Sequence, residues 1–159
     1  VDHAGVGGEE ASEIELRVPA LLTSFFTAPN HPDSKFLIHA GTNDCSGAGS
    51  LQAAVDNVED IIDLIHAADP AIDVYVALII PSTTGATNTR INTFNGLLAT
   101  MLTTYRVTKS NVYTVDMNAA FLDTSNCSSL GACLDDNVHP NNTGYLVMAQ
   151  TWNTAIGAN

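Results

Sequence analysis

A chain of 159 residues, of which 45% are hydrophobic and 14% charged, has the size and composition of one folded domain. Its 17 acidic and 5 basic side chains give a formal net charge of -12. This charge disfavours nucleic acid and anionic membranes, because phosphate contacts need clustered Lys and Arg. We therefore expect a single domain over residues 1–159 that acts on neutral molecules, with no nucleic-acid and no membrane partner.

Short apolar runs alternate along the chain with stretches of helical periodicity. The pattern predicts three strands, at 36–40, 74–80 and 112–115. It also predicts four helices: one with Pro19 in its first turn that runs through Phe26, one from Leu51 that ends before Pro70, one at 91–105 and one at 145–156. The Tyr145–Trp152 stripe of the last helix is expected to pack in the core. Gly41-Thr42-Asn43-Asp44 reads as a turn, and the stretch from the third strand to Pro140 as a polar loop. Strands that alternate with helices predict an α/β fold with a parallel sheet.

Cysteine usage and two sequons indicate an extracellular protein. Cys127 and Cys133 are placed to close a short loop, which leaves Cys45 as a free thiol or paired with a segment outside this sequence. Asn126-Cys127-Ser128 and Asn141-Asn142-Thr143 fit the N-glycosylation sequon, and lysine is scarce. We expect a secreted, disulfide-containing glycoprotein, although the sequence leaves the cysteine pairing open.

Two polar clusters follow predicted strands at their carboxyl ends, where sites gather in open parallel sheets. One is the turn that contains Asn43, and the other is Asp136-Asn137-Val138-His139-Pro140. A carboxylate three residues before an imidazole can accept its hydrogen bond and fix its tautomer, as acyl transfer requires of a general base. An amide such as that of Asn43 can donate to a developing oxyanion. Without a function, Asn43 would be a turn residue and His139 a solvated surface group. The presence of both clusters after strands favours the functional interpretation.

The order and content of these motifs resemble the SGNH/GDSL hydrolases. GTND after an apolar strand resembles that family's third block, and the run from Asp136 through His-Pro-Asn to Trp152 resembles its fifth. Ile79-Ile80-Pro81 and Arg90-Ile91-Asn92 are similar to its middle, so the resemblance covers most of the chain from Phe36 onward. It is closest to secreted carbohydrate esterases that remove acetyl groups from xylan. It implies a flavodoxin-like, three-layer α/β/α fold that lacks the family's first strand and the body of its second.

The resemblance also implies roles for four residues. His139 corresponds to the general base, Asp136 to the carboxylate that orients it, and Asn43 to one oxyanion donor. The backbone N–H of Gly8 corresponds to the second oxyanion donor, because residues 2–8 are similar to the family's D-H-E-G-H-S-G-like stretch. Gly5 and Gly7 are weaker matches for the same role.

The family's nucleophile, a serine in a Gly-Asp-Ser block, has no counterpart in this sequence. The serines that the chain does contain do not follow a strand in that context; they include Ser12, Ser24, Ser46, Ser50 and Ser82. The block belongs to a separate chain after proteolytic nicking, lies in a segment outside this sequence, or has been lost. Val1-Asp2 resembles the end of the family's second strand, which favours the first two explanations.

The expected function is serine-type hydrolysis of neutral carboxylic esters, with polysaccharide deacetylation as the favoured reaction and a polysaccharide or small-molecule ester as substrate. A missing N-terminal fragment of the same protein is a possible partner. One alternative is a catalytically inactive carbohydrate-binding module that retains the fold, and another is an enzyme that uses Cys45. No cofactor and no metal site is implied. The remaining histidines, His3, His31, His39 and His66, are interpreted as structural or solvated.

Overall fold

Three short, mainly apolar runs pair as parallel strands in the computed structural model, which describes residues 3–27 and 34–157. Strand β1 is Lys35–Ile38, β2 is Asp73–Ala77 and β3 is Val112–Val115. The sheet order is β1-β2-β3, with Phe36 opposite Val74 and Val74 opposite Val112. β2 therefore lies at the centre, and its last four residues are all buried.

Helices connect these strands and cover both faces of the sheet. In the described residues they are α1 Ala11–Thr27, α2 Thr42–Ser46, α3 Leu51–Ala68, α4 Gly85–Tyr105, α5 Met117–Leu122, α6 Leu130–Cys133 and α7 Asn142–Gly157. Successive side chains of a strand point to opposite faces, so each strand feeds two cores. One core joins the sheet to α1, α3 and α4, and the other joins it to α5 and α7. The predicted three-layer α/β/α fold with a parallel sheet is confirmed.

Helix α1 corrects the first sequence prediction. It begins at Ala11, so Pro19 lies inside the helix and not in its first turn. The N-terminus is fixed by a distant group, because the Asp44 carboxylate accepts a hydrogen bond from the Ala11 N–H at 3.0 Å. The Glu13 carboxylate also accepts from the Glu10 N–H at 2.9 Å, as in a capping box. Tertiary capping thus extends the helix on the N-terminal side of the proline.

Three further predictions are wrong in detail. The predicted turn at 41–44 is a left-handed Gly41 followed by α2, and the predicted loop before Pro140 contains α5 and α6. Tyr145 is 58% exposed, whereas Val147 of the same helix is buried. The core-facing stripe of α7 therefore runs through Gly144 and Val147, with Met148 and Trp152 only partly buried beside it.

Strand β1 forms one edge of the described sheet. In the residues that the structure describes it pairs with β2 alone, and its Leu37 side chain is 41% exposed. An apolar edge strand with unpaired backbone groups is a template for another strand. Along the chain, β1 ends at Ile38, shortly before the turn at Gly41.

A disulfide joins Cys127, in the loop after α5, to Cys133 at the end of α6, with Cα atoms 5.7 Å apart, one of the pairings that the sequence left open. Cys45 is a buried free cysteine. Among helices of the described ranges, none combines the length and apolar character that a membrane crossing requires.

Candidate functional site

The turn after β1 depends on a glycine. Gly41 has φ of 117°, a left-handed conformation that favours glycine, and a Cβ built there would lie 2.4 Å from Cζ of Phe94. The close approach of Phe94 to the Gly41 backbone packs the turn against α4. Asn43 follows in the first turn of α2.

Arg90 of α4 holds the other end of α2. Its guanidinium donates to the carbonyl oxygens of Cys45 at 3.2 Å, Asp44 at 3.1 Å and Gly49 at 2.7 Å. Two of these carbonyls belong to α2 and the third to the loop after it, so a planar cation with several donors satisfies them together. Sequence reasoning placed Arg90 within a family-like stretch but did not identify this role, because its partners lie more than 40 residues away.

Asn43 and the Gly8 segment lie next to each other. The Asn43 amide donates to the carbonyl oxygen of Glu9 at 2.8 Å, which uses one of its two N–H groups. Gly8 has φ of 89°, so this turn also uses a conformation that favours glycine. Arg17 of α1 fixes the segment, because it forms an ion pair with Glu9 and donates to the carbonyl oxygen of Ala4 at 3.0 Å. The side chain of Asn43 and the carbonyl of Glu9, 34 residues apart in the sequence, are thereby brought together.

Asp136 and His139 form a hydrogen-bonded pair. Oδ2 of Asp136 lies 2.7 Å from Nδ1 of His139, while its Oδ1 accepts the backbone N–H groups of Val138 and His139, each at 2.8 Å. The Val138 N–H, the imidazole and the His139 N–H lower the pKa of Asp136 to about 2. An ionised carboxylate only accepts, so Nδ1 carries the proton and Nε2 of a neutral ring has a free lone pair. The His139 side chain is 74% exposed, which leaves it accessible.

The loop after β2 fastens the Asp136–His139 loop to the sheet. Thr83 donates its N–H to the Asn137 carbonyl at 3.1 Å and its hydroxyl to Oδ1 of Asn137 at 2.7 Å. Ile79, earlier in the same loop, exchanges two hydrogen bonds of 2.9 Å with the buried side chain of Asn95. Asn43, in α2, and His139, in its loop, therefore both belong to segments that are tied to α4 or to the loop before it. Sequence reasoning placed Asn137 in the polar cluster without a role and did not identify its partner Thr83.

The other histidines and the cysteine occupy different environments. His39 follows β1, and its Nε2 is buried without a hydrogen-bond partner in the described part of the chain, so the expected satisfied structural role is wrong. Desolvation lowers the pKa of His39 to about 4. Burial raises the pKa of the Cys45 thiol to about 12, so it is a poor nucleophile at neutral pH, against the alternative of a cysteine enzyme. His31 and Val1-Asp2 lie outside the described residues.

Ser82 is a buried serine in the loop between β2 and α4. Its side chain is almost fully enclosed, and its hydroxyl oxygen accepts the N–H of Thr84 at 3.0 Å within a tight turn. Groups of three or more histidine, cysteine or carboxylate side chains arranged to hold a metal do not occur within residues 3–27 and 34–157.

The domain thus combines a parallel sheet between two helical layers with a hydrogen-bonded Asp136–His139 pair on one loop and the Asn43 amide in α2. The chain belongs to the GDSL-like Lipase/Acylhydrolase family, whose profile matches residues 1–147. A search of curated proteins finds no significant match.

Solved structures share the fold at low sequence identity. A GDSL-like lipase from Bacteroides thetaiotaomicron superposes with a TM-score of 0.79 at 19% identity, covering 98% of this chain and 74% of that chain. A carbohydrate esterase of family 3 from Talaromyces cellulolyticus gives a TM-score of 0.75 at 23% identity, with 99% and 73% covered. A catalytic mutant of an acetylxylan esterase from Geobacillus stearothermophilus gives 0.72 at 17% identity, with 98% and 71% covered.

Proposed function

We propose that this chain is the larger part of a serine-type carboxylic ester hydrolase whose nucleophile lies on a segment outside the sequence. The observation that carries the proposal is the contact of 2.7 Å between Asp136 and His139, which leaves Nε2 as an exposed base. The edge of β1 that carries no strand among residues 3–27 and 34–157 supports a docking position for the segment with the serine. Membership of an acylhydrolase family supports ester hydrolysis as the reaction class.

The mechanism assigns one role to each group. His139 Nε2 takes the proton of the serine hydroxyl as its oxygen attacks the ester carbonyl, and Asp136 holds the ring in the Nδ1–H tautomer. The second N–H of Asn43 and the backbone N–H of Gly8 stabilise the oxyanion, while His139 then protonates the leaving alcohol. Water, activated by the same imidazole, hydrolyses the acyl-serine and restores the enzyme.

Acetylated polysaccharide is the substrate class that we propose. The net charge of -12 suits a neutral substrate, and structures that share the fold include carbohydrate esterases and an acetylxylan esterase. The Cys127–Cys133 disulfide supports an extracellular location, where such substrates and an oxidising environment occur together.

Hydrolysis of a short acyl ester by the natural protein tests this function. The substitution His139→Ala is expected to lower kcat/KM by a factor of about 10²–10⁴, and Asn43→Ala by about 10²–10³. Asp123→Asn is the matched control, because Asp123 accepts a backbone N–H at 2.8 Å in a similar turn but has no imidazole partner. Activity that is indifferent to His139→Ala would refute the proposed base.

A fluorophosphonate label then locates the nucleophile. Peptide mapping is expected to find the label on a serine outside residues 1–159. A labelled serine within them would overturn the placement of the nucleophile. A natural protein that binds acetylated xylan but takes up no label would support the alternative, an inactive carbohydrate-binding module.

A further inference from the structure

A polar groove of about 610 Å³ lies between β3 and α7, away from the Gly41 turn. Polar side chains from both walls line it: Thr114, Asp116, Asn126, Gln150, Thr151 and Thr154. A volume of this size falls within the range of about 300–1,000 Å³ that is typical of ligand pockets. The lining consists mainly of neutral hydrogen-bonding groups, which suits a neutral, hydroxyl-rich occupant.

The threonines of α7 present acceptors to this groove. Thr151 donates its hydroxyl proton to the Val147 carbonyl at 2.8 Å, and Thr154 donates to the Gln150 carbonyl at 2.9 Å. Each hydroxyl oxygen therefore retains lone pairs for hydroxyl donors of an occupant. Sugars supply such donors in a dense array.

Asn126 lies at the rim of the groove and is the first residue of the Asn126-Cys127-Ser128 sequon. The residue is exposed, and its neighbour Cys127 is fixed by the disulfide. Its Nδ2 donates one hydrogen to the Ala120 carbonyl at 3.0 Å. The second hydrogen of Nδ2 is the one that N-glycosylation replaces, so this contact and a sugar are compatible.

Asn141, in the second sequon, has a different environment. Its Oδ1 accepts the N–H groups of Thr143 at 2.9 Å and Gly144 at 3.1 Å, so it caps α7. Its Nδ2 donates to the Ala132 carbonyl of α6 at 3.1 Å. The residue is half-buried between two helices and lies two positions after His139, where a bulky glycan would obstruct the proposed base.

We propose that Asn126 carries an N-linked glycan whose first sugars occupy the groove between β3 and α7, and that Asn141 remains unmodified. The donor is a lipid-linked oligosaccharide diphosphate. The Asn126 Nδ2 forms a bond to C1 of the first sugar, the C1–O bond to the diphosphate breaks, and the amide proton leaves to solvent. This modification is independent of the proposed ester hydrolysis.

Expression of the natural protein through the secretory pathway of a eukaryotic host, followed by mass spectrometry, tests the site. The expected product carries one glycan that peptide-N-glycosidase removes with conversion of Asn126 to aspartate. Ser128→Ala is expected to abolish the mass increase, while Ser128→Thr, the control that keeps the sequon, retains it. Thr143→Ala is expected to change nothing. The same variants translated with microsomes report attachment as a gel shift without a need for secretion.

The occupancy of the groove is tested by thermal unfolding of glycosylated protein and of the Ser128→Ala protein. The glycosylated form is expected to melt about 2–4 °C higher. Gln150→Ala is expected to lower the melting temperature of the glycosylated form by about 2 °C more than that of the Ser128→Ala form. The difference between the two shifts isolates the contacts of Gln150 with the sugar, as in a double-mutant cycle. Equal shifts in both forms would overturn the groove as the binding place. A glycan on Asn141, or none on Asn126, would overturn the site.

Discussion

Single residues of the candidate site are constrained by backbone conformation as much as by chemistry, and Gly41 is the clearest case. We predict that Gly41→Ala lowers the free energy of unfolding by about 2–5 kcal/mol, because φ of 117° strains an L-residue and the new methyl meets the ring of Phe94. Gly49→Ala is the matched control, since no heavy atom lies within 4 Å of its built Cβ. Urea unfolding of both variants measures the difference. Equal stability of the two would contradict the conformation described for the turn.

His39 makes a second prediction at the same scale. Its folded-state pKa of about 4 lies below its ordinary value of 6.5, so between these values the unfolded chain binds more protons than the folded one. The contribution of neutral His39 is therefore complete above about pH 6.5 and falls as the pH decreases towards 4, by at most about 3 kcal/mol. His39→Leu is expected to flatten the pH dependence of unfolding in this window. A wild-type and a His39→Leu profile of the same slope would refute the buried neutral ring.

At the scale of elements, the start of α1 depends on a carboxylate from another helix. We predict that Asp44→Ala lowers the free energy of unfolding by about 1 kcal/mol, because the Ala11 N–H loses its acceptor at the positive end of the helix. Asp44→Asn keeps an acceptor oxygen and is expected to cost less. Chemical denaturation gives the free energy of unfolding of both variants. Hydrogen exchange of the amides at Ala11 and its neighbours measures the local effect at the start of α1. Unchanged exchange in Asp44→Ala would argue against the cap.

The elements also show how far the sequence predicts the structure. Local signals sufficed where they were strong: apolar β-branched runs located β2 and β3, and helical periodicity with Pro70 beyond it located α3. The second run was predicted to stay extended to Ile80, whereas β2 ends at Ala77. The start of α1 could not be predicted in this way, because its cap comes from Asp44, 33 residues further on. The exposure of Tyr145 could not be predicted either, since a periodic stripe shows which positions share a face but not what covers them.

At the scale of the whole molecule, the sequence predicted the Asp136–His139 contact but not how the segments of the candidate site are held together. The spacing of Asp136 and His139 predicted their contact, because three residues in a turn bring a carboxylate to an imidazole. Asn43 was also indicated by its place after a strand, whereas Gly8 was matched only through a resemblance, and a hydrogen bond between Asn43 and Glu9 joins the two segments. The hydrogen bonds of Arg90 and Thr83 join segments that are distant in sequence. The periodicity of a single sequence gives no information about such contacts.

The cysteines give a prediction for the whole fold. Closing the short loop between Cys127 and Cys133 restricts the unfolded chain, so we expect the paired Cys127→Ala and Cys133→Ala substitutions to cost about 2 kcal/mol of stability. Cys45 is buried with its thiol pKa raised to about 12, and it should resist alkylation for as long as the domain stays folded. Iodoacetamide followed by intact mass is therefore expected to add no group to the native protein, two after mild reduction, and three only after reduction in denaturant. Alkylation of Cys45 under native conditions would show that the α2 region opens, and with it the packing of Gly41 and Asn43 on which the proposed oxyanion site depends.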